Sequence, residues 1–422
     1  MRGEVSAGCE NRERLAVRFP FSASLPTPYL LRVADGEATG PLAFGIRAGL
    51  RALSWLYLAG VGASVLAHRS GLLRCERAPC PVIGVGNLTV GGTGKSTATA
   101  EFARWLLEAG LRPAVLSRGY GVQGSPPVRV VSDGKNVLLG PEEGGDEPVM
   151  LAHHLAGVPV LIGRRRPHTA RAAVERFSAD ACLLDDGFQV WNLRKDLEVV
   201  LLDSRRPFDN GYVLPRGMLR EPPSHLGRAD AVVLMEPDRV EREALARLRK
   251  QVEALAPGAL VAEAGRVPER LWDLATGQDY PLSALNGLPI VALSAIGNPQ
   301  GFEDLLGSLG ARIYPARLPD HHPYTPDDVE WVQRLAKQKG AAAIITTEKD
   351  AVKLDECGGA RGRRGEAGAW GRALATEASQ ESVISAAPDG KAPVLVFSVR
   401  LRFTAGGDAL RERVLATVRE KR

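Results

Sequence analysis

The segment that most constrains this chain joins a short apolar run to a helical pattern through a glycine-rich loop. Residues 81–96 read PVIGVGNLTVGGTGKS, and the apolar run at residues 81–85 is typical of a buried strand. The glycines let consecutive backbone N–H groups turn towards phosphate oxygens, while Lys95 supplies a positive charge and the Ser96 hydroxyl can bind Mg²⁺. The segment therefore predicts a phosphate-binding loop within an α/β fold.

The predicted loop departs at one position from the usual phosphate-binding pattern. That pattern has Gly five residues before Gly94, where this chain has Thr89. The alternative is a glycine-rich turn that binds nothing, but strand, loop, Lys-Ser pair and helix follow one another in the required order. We predict that the nucleotide contacts Thr89, Val90, Gly91, Gly92, Thr93, Gly94, Lys95 and Ser96.

A second apolar strand ends in two carboxylates. Residues 181–184 are apolar, and Asp185 and Asp186 follow them directly. In nucleotide-binding α/β proteins an aspartate in this position holds Mg²⁺ directly or through water. Successive side chains at a strand end point in different directions, so one carboxylate can bind metal while the other orients a neighbour.

The order of the predicted elements indicates the fold class. Strands alternate with helices along most of the chain, which predicts a mostly parallel sheet with helices on both faces, as in P-loop NTPases. We predict a poorly ordered extension at residues 1–40, a membrane-interface helix at 41–74, a P-loop core domain at 75–280 and a smaller C-terminal α/β domain at 281–422. Residues 361–392 are rich in Gly, Ala, Ser, Glu and Arg and are expected to form a disordered insertion.

The predicted N-terminal helix is apolar and carries Trp and Tyr between arginines. Its uncharged part, residues 52–67, is too short to span a bilayer comfortably. Aromatic and aliphatic side chains bracketed by Arg are what an interfacial helix needs. The alternative is a buried helix packed on the core.

Composition narrows the possible partners. The net charge of +5 is small for this length, although the pI of about 9.0 and the Arg-rich N-terminal third suit an anionic surface such as phospholipid head groups. Nucleic acid is disfavoured because the aromatic fraction is only 5% and no zinc-finger spacing is present. Five cysteines without a Cys-x-x-Cys pair favour reduced thiols, and no cleavable signal pattern is visible.

Three further polar loops carry candidate site residues. Asp146 opens a predicted helix, where a carboxylate is most often an N-cap. His321 lies in an Asp-His-His sequence before Pro, which is not a buried apolar face. Arg220 and Glu221 are adjacent in a loop beyond the predicted strand that ends at Asp203.

Seven motifs occur in one order between residues 42 and 403, interrupted by the predicted insertion. Together they resemble the tetraacyldisaccharide 4′-kinases, the lipid A kinases of Gram-negative bacteria, whose unusual first loop position accounts for Thr89. The motifs are VGNLTVGGTGKS at residues 85–96, SRGYG at 117–121, GDEP at 145–148, DDGFQ at 185–189, LREP at 219–222, DHH at 320–322 and TEKD at 347–350.

The resemblance implies an activity and roles for individual residues. The reaction would move the γ-phosphoryl group of ATP to the 4′-hydroxyl of a lipid A disaccharide 1-phosphate, forming lipid IVA. Asp146 and His321 would act together on that hydroxyl, and Lys95 would stabilise charge on the phosphoryl group. Ser96, with Asp185 or Asp186, would hold Mg²⁺, and Arg220 and Glu221 would line the same cleft. We assign the metal to Ser96, Asp185 and Glu221, and further catalytic roles to Asp186 and Arg220.

The chain also departs from the family pattern at two positions, and the resemblance implies a cellular location. Ser96-Thr97 replaces the usual Thr-Pro, which keeps the hydroxyl, and Val190 stands where the family usually has His. The resemblance implies the cytoplasmic face of the inner membrane, with peripheral or monotopic attachment, and it implies no protein partner.

Two rival functions remain open at this point. One is a membrane-associated P-loop switch ATPase or GTPase. However, the TEKD sequence at residues 347–350 has its Lys one place too late for a guanine-binding motif. The other is a soluble small-molecule kinase in which the N-terminal helix belongs to the core.

Overall fold

The computed structural model describes residues 27–119, 122, 128–357, 384 and 391–421. Residues 1–26 of the predicted extension lie outside the described residues, as do Tyr120 and Gly121. The predicted insertion lies outside them too, except for Ile384, Lys391 and Ala392.

The strands and helices alternate as the sequence predicts. The strands are β1 (Val82–Asn87), β2 (Pro113–Ser117), β3 (Arg129–Asp133), β4 (Pro159–Ile162), β5 (Ala181–Asp185), β6 (Leu197–Asp203), β7 (Ala231–Met235), β8 (Leu260–Asp273), β9 (Asp279–Tyr280), β10 (Pro289–Ser294), β11 (Arg312–Arg317), β12 (Ala343–Thr347) and β13 (Val394–Ala405). The α-helices are α1 (Thr27–Ala34), α2 (Pro41–Arg69), α3 (Lys95–Glu108), α4 (Pro141–Gly144), α5 (Asp146–His154), α6 (Arg166–Phe177), α7 (Arg242–Leu255), α8 (Pro299–Ser308), α9 (Pro326–Lys339), α10 (Glu348–Cys357) and α11 (Gly407–Arg419).

Within the described part of the chain, all strands join one 13-stranded sheet. Its order is β11-β10-β12-β13-β8-β7-β6-β1-β5-β2-β4-β3, with β9 attached to β8. Neighbours are parallel except for β3 with β4, β8 with β13 and β8 with β9. Ile83 and Val85 pack in one core cluster with α3, whereas Val82 packs on the opposite face with α6. The predicted mostly parallel sheet with helices on both faces is therefore confirmed.

Two long antiparallel strands connect the two parts of the sheet. The first residues of β8 pair with β7, and the remainder of β8 pairs with β13. The start of β13 pairs with β12, and its end continues along β8 towards the first part of the sheet. Both parts of the sheet therefore share β8 and β13, which bridge them.

The end of the chain differs from the predicted division into domains. The sequence predicts a boundary at residue 280, with all later residues in the C-terminal domain. However, β13 runs back along β8, and Leu410 and Val414 of α11 pack in the cluster that also contains Phe102 of α3. The last helix thus belongs to the P-loop side, because its apolar face is buried there.

The predicted N-terminal extension ends earlier than expected. Helix α1 lies inside the stretch predicted to be poorly ordered, so that prediction is wrong for residues 27–34. Val33 is fully buried and packs with Ala38 and Ala43. A contact with α2 therefore stabilises a helix that the local sequence does not indicate.

Helix α2 presents most of its apolar side chains to solvent. Its 29 residues bury only Ala43, Ser54 and Val65. Trp55, Leu56 and Leu66 are 63–70% exposed, so the alternative of a buried core helix is wrong. By length and composition alone, α2 is the one candidate membrane span among the described residues.

The helix is nevertheless fixed to the domain by polar contacts at its centre. Ser54 Oγ donates to Val213 O at 2.8 Å and accepts from Arg216 N at 3.1 Å. Tyr57 Oη donates to Arg220 O at 2.9 Å. Helix α2 is thus attached to the loop that carries Arg220.

Replacing Trp55, Leu56 and Leu66 together by Gln is expected to leave the fold intact. These side chains bury little surface, and Gln is a good helix former, so the free energy of unfolding should change by less than about 1 kcal/mol. Chemical denaturation of the purified protein measures this. Ser54→Leu is the contrasting variant, because it removes one buried and one partly buried hydrogen bond, and it should be clearly destabilising. A triple variant that unfolds would contradict the exposure of α2.

Candidate active site

The P-loop (residues 89–96) has the geometry of an anion cradle. Gly91 and Gly94 have φ values of 122° and 86°, which favour glycine. A Cβ atom added at Gly91 or Gly92 would meet nothing within 4 Å, so both positions face open space. Helix α3 begins at Lys95 without a side-chain cap, which leaves its first N–H groups directed at a ligand.

The structure explains why Thr89 can replace glycine. Thr89 forms an isolated antiparallel bridge with Leu219, and Val90 N donates to Met218 O at 2.7 Å. Its backbone is therefore extended, a conformation that suits a β-branched residue. The same pairing brings Arg220 next to the P-loop, since Arg220 N donates to Leu88 O at 2.7 Å.

Asp185 is a buried carboxylate beside the P-loop. It ends β5, pairs with Val85 of β1 and is 1% exposed. Ser96 Oγ donates to its Oδ2 at 3.3 Å, and Thr99 Oγ1 donates to Oδ1 at 3.2 Å. Burial, followed by the charges of Glu147 and Asp186, raises the pKa of Asp185 to about 7. The surrounding protein groups alone therefore do not offset the cost of ionising Asp185 in this buried position.

Asp186 has the opposite electrostatic environment. Its φ of 57° turns the side chain away from that of Asp185, towards two cations. Arg220 Nη1 lies 2.9 and 2.7 Å from the two carboxylate oxygens, and Lys95 Nζ lies 3.5 Å from Oδ1. Burial alone would raise the pKa of Asp186, but Lys95 and Arg220 outweigh burial and lower it.

Asp146 and His321 meet, although 175 residues separate them in sequence. Asp146 is the first residue of α5, and His321 lies in the loop after β11. Nδ1 of His321 is 3.1 Å from Oδ2 of Asp146, and Lys353 Nζ is 3.7 Å from the same oxygen. Although burial raises the pKa of Asp146, the hydrogen bond from His321 and the charge of Lys353 lower it. Asp146 is therefore an ionised carboxylate. The N-cap alternative is wrong, because Gly145 is the N-cap residue of α5 and no side chain caps this helix.

A network of charges surrounds this pair, and sequence reasoning did not assign its members. Lys349 Nζ lies 3.2 Å from Glu147 Oε1, 3.4 Å from Asp320 Oδ1 and 3.2 Å from His321 Nε2. The signal was present, since Glu147, Asp320 and Lys349 belong to three of the motifs. The contact between α5 and α10, which brings these motifs together, could not be predicted from the sequence.

Further residues of the site also escaped sequence reasoning. Lys95 Nζ donates to Asn87 Oδ1 at 3.2 Å, so Asn87 holds the lysine near the end of β1. Arg166 is 3% exposed, and burial, followed by the charge of Arg118, lowers its pKa to about 10 even though Asp185 and Asp186 act to raise it. Arg166 thus places a buried cation close to the carboxylate pair.

Glu221 occupies a different position from the other predicted metal ligands. It is 2% exposed, and its Oε2 lies 2.7 Å from both His225 Nδ1 and Arg228 Nη1. Its described partners are thus a His and an Arg, whereas Ser96 and Asp185 contact each other. None of the described hydrogen bonds or ion pairs joins Glu221 to Ser96 or Asp185.

The chain resembles known proteins over most of its length. A family model described as Tetraacyldisaccharide-1-P 4′-kinase matches residues 46–385. A Tetraacyldisaccharide 4′-kinase of Syntrophus aciditrophicus is 44% identical over 312 residues, which cover 72% of this chain and 83% of that protein. One of Anaeromyxobacter dehalogenans is 45% identical over 320 residues, covering 76% of this chain and 84% of that protein.

A solved structure shows the same relationship at the level of the fold. The crystal structure of LpxK from Aquifex aeolicus in complex with ATP is 25% identical to this chain, with a TM-score of 0.64. The match covers 88% of this chain and 99% of the other. Together with the P-loop and the carboxylates that surround it, these matches show that the chain belongs to the tetraacyldisaccharide-1-phosphate 4′-kinase family.

Proposed function

We propose that this protein transfers the γ-phosphoryl group of ATP to the 4′-hydroxyl of a tetraacyldisaccharide 1-phosphate. The observation that carries the proposal is the Asp146–His321 pair, at 3.1 Å, in the same molecule as a P-loop. A P-loop alone supports nucleotide binding, but transfer to an alcohol also needs a group that accepts the hydroxyl proton. Because hydrolysis in a switch ATPase also uses a residue that orients the attacking water, the choice of an alcohol acceptor rests on the pair together with the family match.

The P-loop and two cations bind the phosphate groups and stabilise their charge. Backbone N–H groups at Gly91, Gly92 and the start of α3 bind the β- and γ-phosphates. Lys95 stabilises the charge that develops on the transferred group, as a fixed cation in a partly buried site does effectively. Arg220 and Lys95 both contact Asp186, which keeps their charges in place between turnovers.

The acceptor side falls to Asp146. Its described contacts use Oδ2, so we assign Oδ1 to the acceptor hydroxyl. As the 4′-oxygen attacks the γ-phosphorus, the new O–P bond forms, the bond to the β,γ-bridging oxygen breaks, and the hydroxyl proton passes to Asp146. ADP leaves with the electron pair of the broken bond.

The residues around Asp185 fit a magnesium ion. The wholly buried carboxylate of Asp185 and the Ser96 hydroxyl supply adjacent oxygen ligands, and burial, Glu147 and Asp186 disfavour ionised Asp185 unless a cation binds it. No cluster of three or more His, Cys, Asp or Glu side chains in the described ranges is arranged for a metal ion. Mg²⁺ needs none, because it is usually held by one or two carboxylates together with phosphates and waters. Ser96 and Asp185 would hold it, and it would neutralise charge on the β- and γ-phosphates.

We propose that α2 attaches the enzyme to an anionic membrane, at the cytoplasmic face of the inner membrane. Trp55, Leu56 and Leu66 face outwards, and each contributes roughly 1.5–3 kcal/mol if fully buried in lipid. Arg47, Arg51 and Arg69 can add about 1 kcal/mol apiece on an anionic leaflet. Ser54 and Tyr57 hold the middle of α2 on the domain, which favours an interfacial rather than a spanning helix.

The direct test of the function is incubation with labelled ATP, Mg²⁺ and a lipid A disaccharide 1-phosphate, followed by chromatography of the lipid. We expect label in the lipid with the wild type and a loss on the order of 10²-fold or more with Lys95→Ala. The variant should remain folded, because Lys95 supports no core. Lys337→Ala, a lysine in the last turn of α9, is the matched control and should keep full activity. An unlabelled lipid with the wild type, or near-normal activity of Lys95→Ala, would contradict the proposal.

The raised pKa of Asp185 predicts a pH-dependent stability in the absence of nucleotide and metal. Because the pKa is about 7 in the folded protein instead of its ordinary 3.8, this group costs stability as pH rises from about 4 to about 7. Above pH 7 the full loss of stability from ionised Asp185 is present. Asp185→Asn removes it, so the variant should be the more stable protein at pH 8, by on the order of 1 kcal/mol or more.

Chemical denaturation at pH 5 and pH 8 in the presence of a chelator measures this effect. The advantage of Asn over Asp should grow between the two values. Asp203→Asn is the matched control, since Asp203 also ends a strand but pairs with the exposed Arg205, and it should show no such growth. An Asp185→Asn variant that is less stable than the wild type at pH 8 would contradict the electrostatic account.

The Trp55, Leu56 and Leu66 to Gln triple variant also tests the membrane proposal. We expect it to move from the membrane to the soluble fraction and to raise the apparent KM for a bilayer-presented acceptor, while the KM for ATP stays unchanged. The matched control replaces Leu138 and Trp331, exposed apolar side chains outside α2, by Gln. A folded triple variant that remains membrane-bound would place the contact surface elsewhere.

A further inference from the structure

We propose that Lys349 is a positioning residue that holds His321 as the neutral tautomer with its proton on Nδ1, directed at Asp146. The inference deepens the proposed function, on which its kinetic part rests. It assigns a role to a residue that contacts neither the P-loop nor the carboxylates beside it in the described contacts.

The ammonium group of Lys349 has three partners within 3.4 Å. They are Glu147 Oε1, Asp320 Oδ1 and His321 Nε2. An ammonium group has three N–H donors and no acceptor, so each partner can receive one of them. The side chain is 15% exposed, and although burial alone would lower the pKa of Lys349, the charge of Glu147 and then that of Asp320 raise it. Lys349 is therefore charged and acts only as a donor.

This geometry decides which ring nitrogen of His321 carries the proton. A nitrogen that accepts from an ammonium group must present its lone pair, so Nε2 is unprotonated. Asp320 Oδ1 is 3.9 Å from Nε2, too far for a hydrogen bond that would favour the other tautomer. The single ring proton of neutral His321 is then on Nδ1, 3.1 Å from Asp146 Oδ2.

The groups that face His321 come from three elements. Asp146 and Glu147 approach from α5, Asp320 precedes the histidine, and Lys349 and Lys353 approach from α10. Lys353 contacts Asp146 but has no described contact with the imidazole. Among the described contacts, Lys349 is the cation that touches the imidazole, and it also connects α10 to α5 through Glu147.

A consequence for the reaction follows from the position of Lys349. Lys349 Nζ, 3.2 Å from Nε2, lies on the side of the ring where a second proton would sit, so the Nδ1 proton remains directed at Asp146. Without Lys349, Nε2 is able to take a proton, and the resulting imidazolium pairs with Asp146 and makes it a weaker base. The acid limb of the pH profile of kcat should then move to higher pH, because His321 must lose that proton before Asp146 regains its basicity.

The tautomer can be observed directly in the full-length protein. We would label histidine with ¹⁵N, identify His321 by comparison with His321→Gln, and record imidazole nitrogen spectra between pH 6 and pH 8. The wild type should show protonated Nδ1 and unprotonated Nε2. Lys349→Met should show protonation at Nε2, whereas Glu348→Gln should match the wild type. Glu348 pairs with His154 across the same two helices, so this variant controls for a general effect on their contact.

Kinetics provides the second readout. We expect Lys349→Met to lower kcat at pH 7 by about 10-fold or more, to move the acid limb upwards and to leave the KM for ATP unchanged. Lys349→Arg keeps a donor-only cation and should recover part of the loss. A wild-type His321 protonated on Nε2, or a Lys349→Met variant with an unchanged tautomer and pH profile, would overturn the inference. The spectra need no turnover, so an inactive wild type would contradict the proposed function while the tautomer still decides this inference.

Discussion

The antiparallel pairing of β8 with β13 is the constraint on which the rest of the structure depends. Both strands extend beyond the length of their neighbours, and each takes part in both halves of the sheet. The P-loop half supplies Asp146 and Glu147 from α5, and the other half supplies His321 and Lys349. Because the two strands hold the halves together, residues far apart in sequence form one charge network beside the nucleotide site.

The adjacent carboxylates show how the same residue type acquires two roles. Asp185 is buried among other negative charges, so the protein alone does not favour its ionised form. Asp186 adopts a positive φ and turns to Lys95 and Arg220, which do favour it. The first carboxylate therefore suits a bound cation, and the second positions Lys95 and Arg220, the two cations proposed to act on phosphate.

Features formed by contiguous residues could be predicted from the sequence, whereas contacts between distant residues could not. The P-loop and the Asp185-Asp186 pair were found because their residues are contiguous and their flanking strands are apolar. The pairing of Asp146 with His321 came only from the resemblance, and the part played by Lys349 depends on a contact between distant helices. The sequence does not indicate strand β8, because Gly265 and Pro268 interrupt its pattern. A bulge in β8 accommodates the proline, since Glu269 is an extra residue between the pairs Arg270–Ser398 and Pro268–Val399.

We propose that the two halves of the sheet jointly form one base for the acceptor hydroxyl. A double-mutant cycle on kcat with Asp146→Ala and His321→Ala tests it most directly, since Asp146 comes from one half and His321 from the other. If the two residues act as a unit, the double variant should be little slower than the more damaged single variant. Independent losses that multiply in the double variant would contradict the claim.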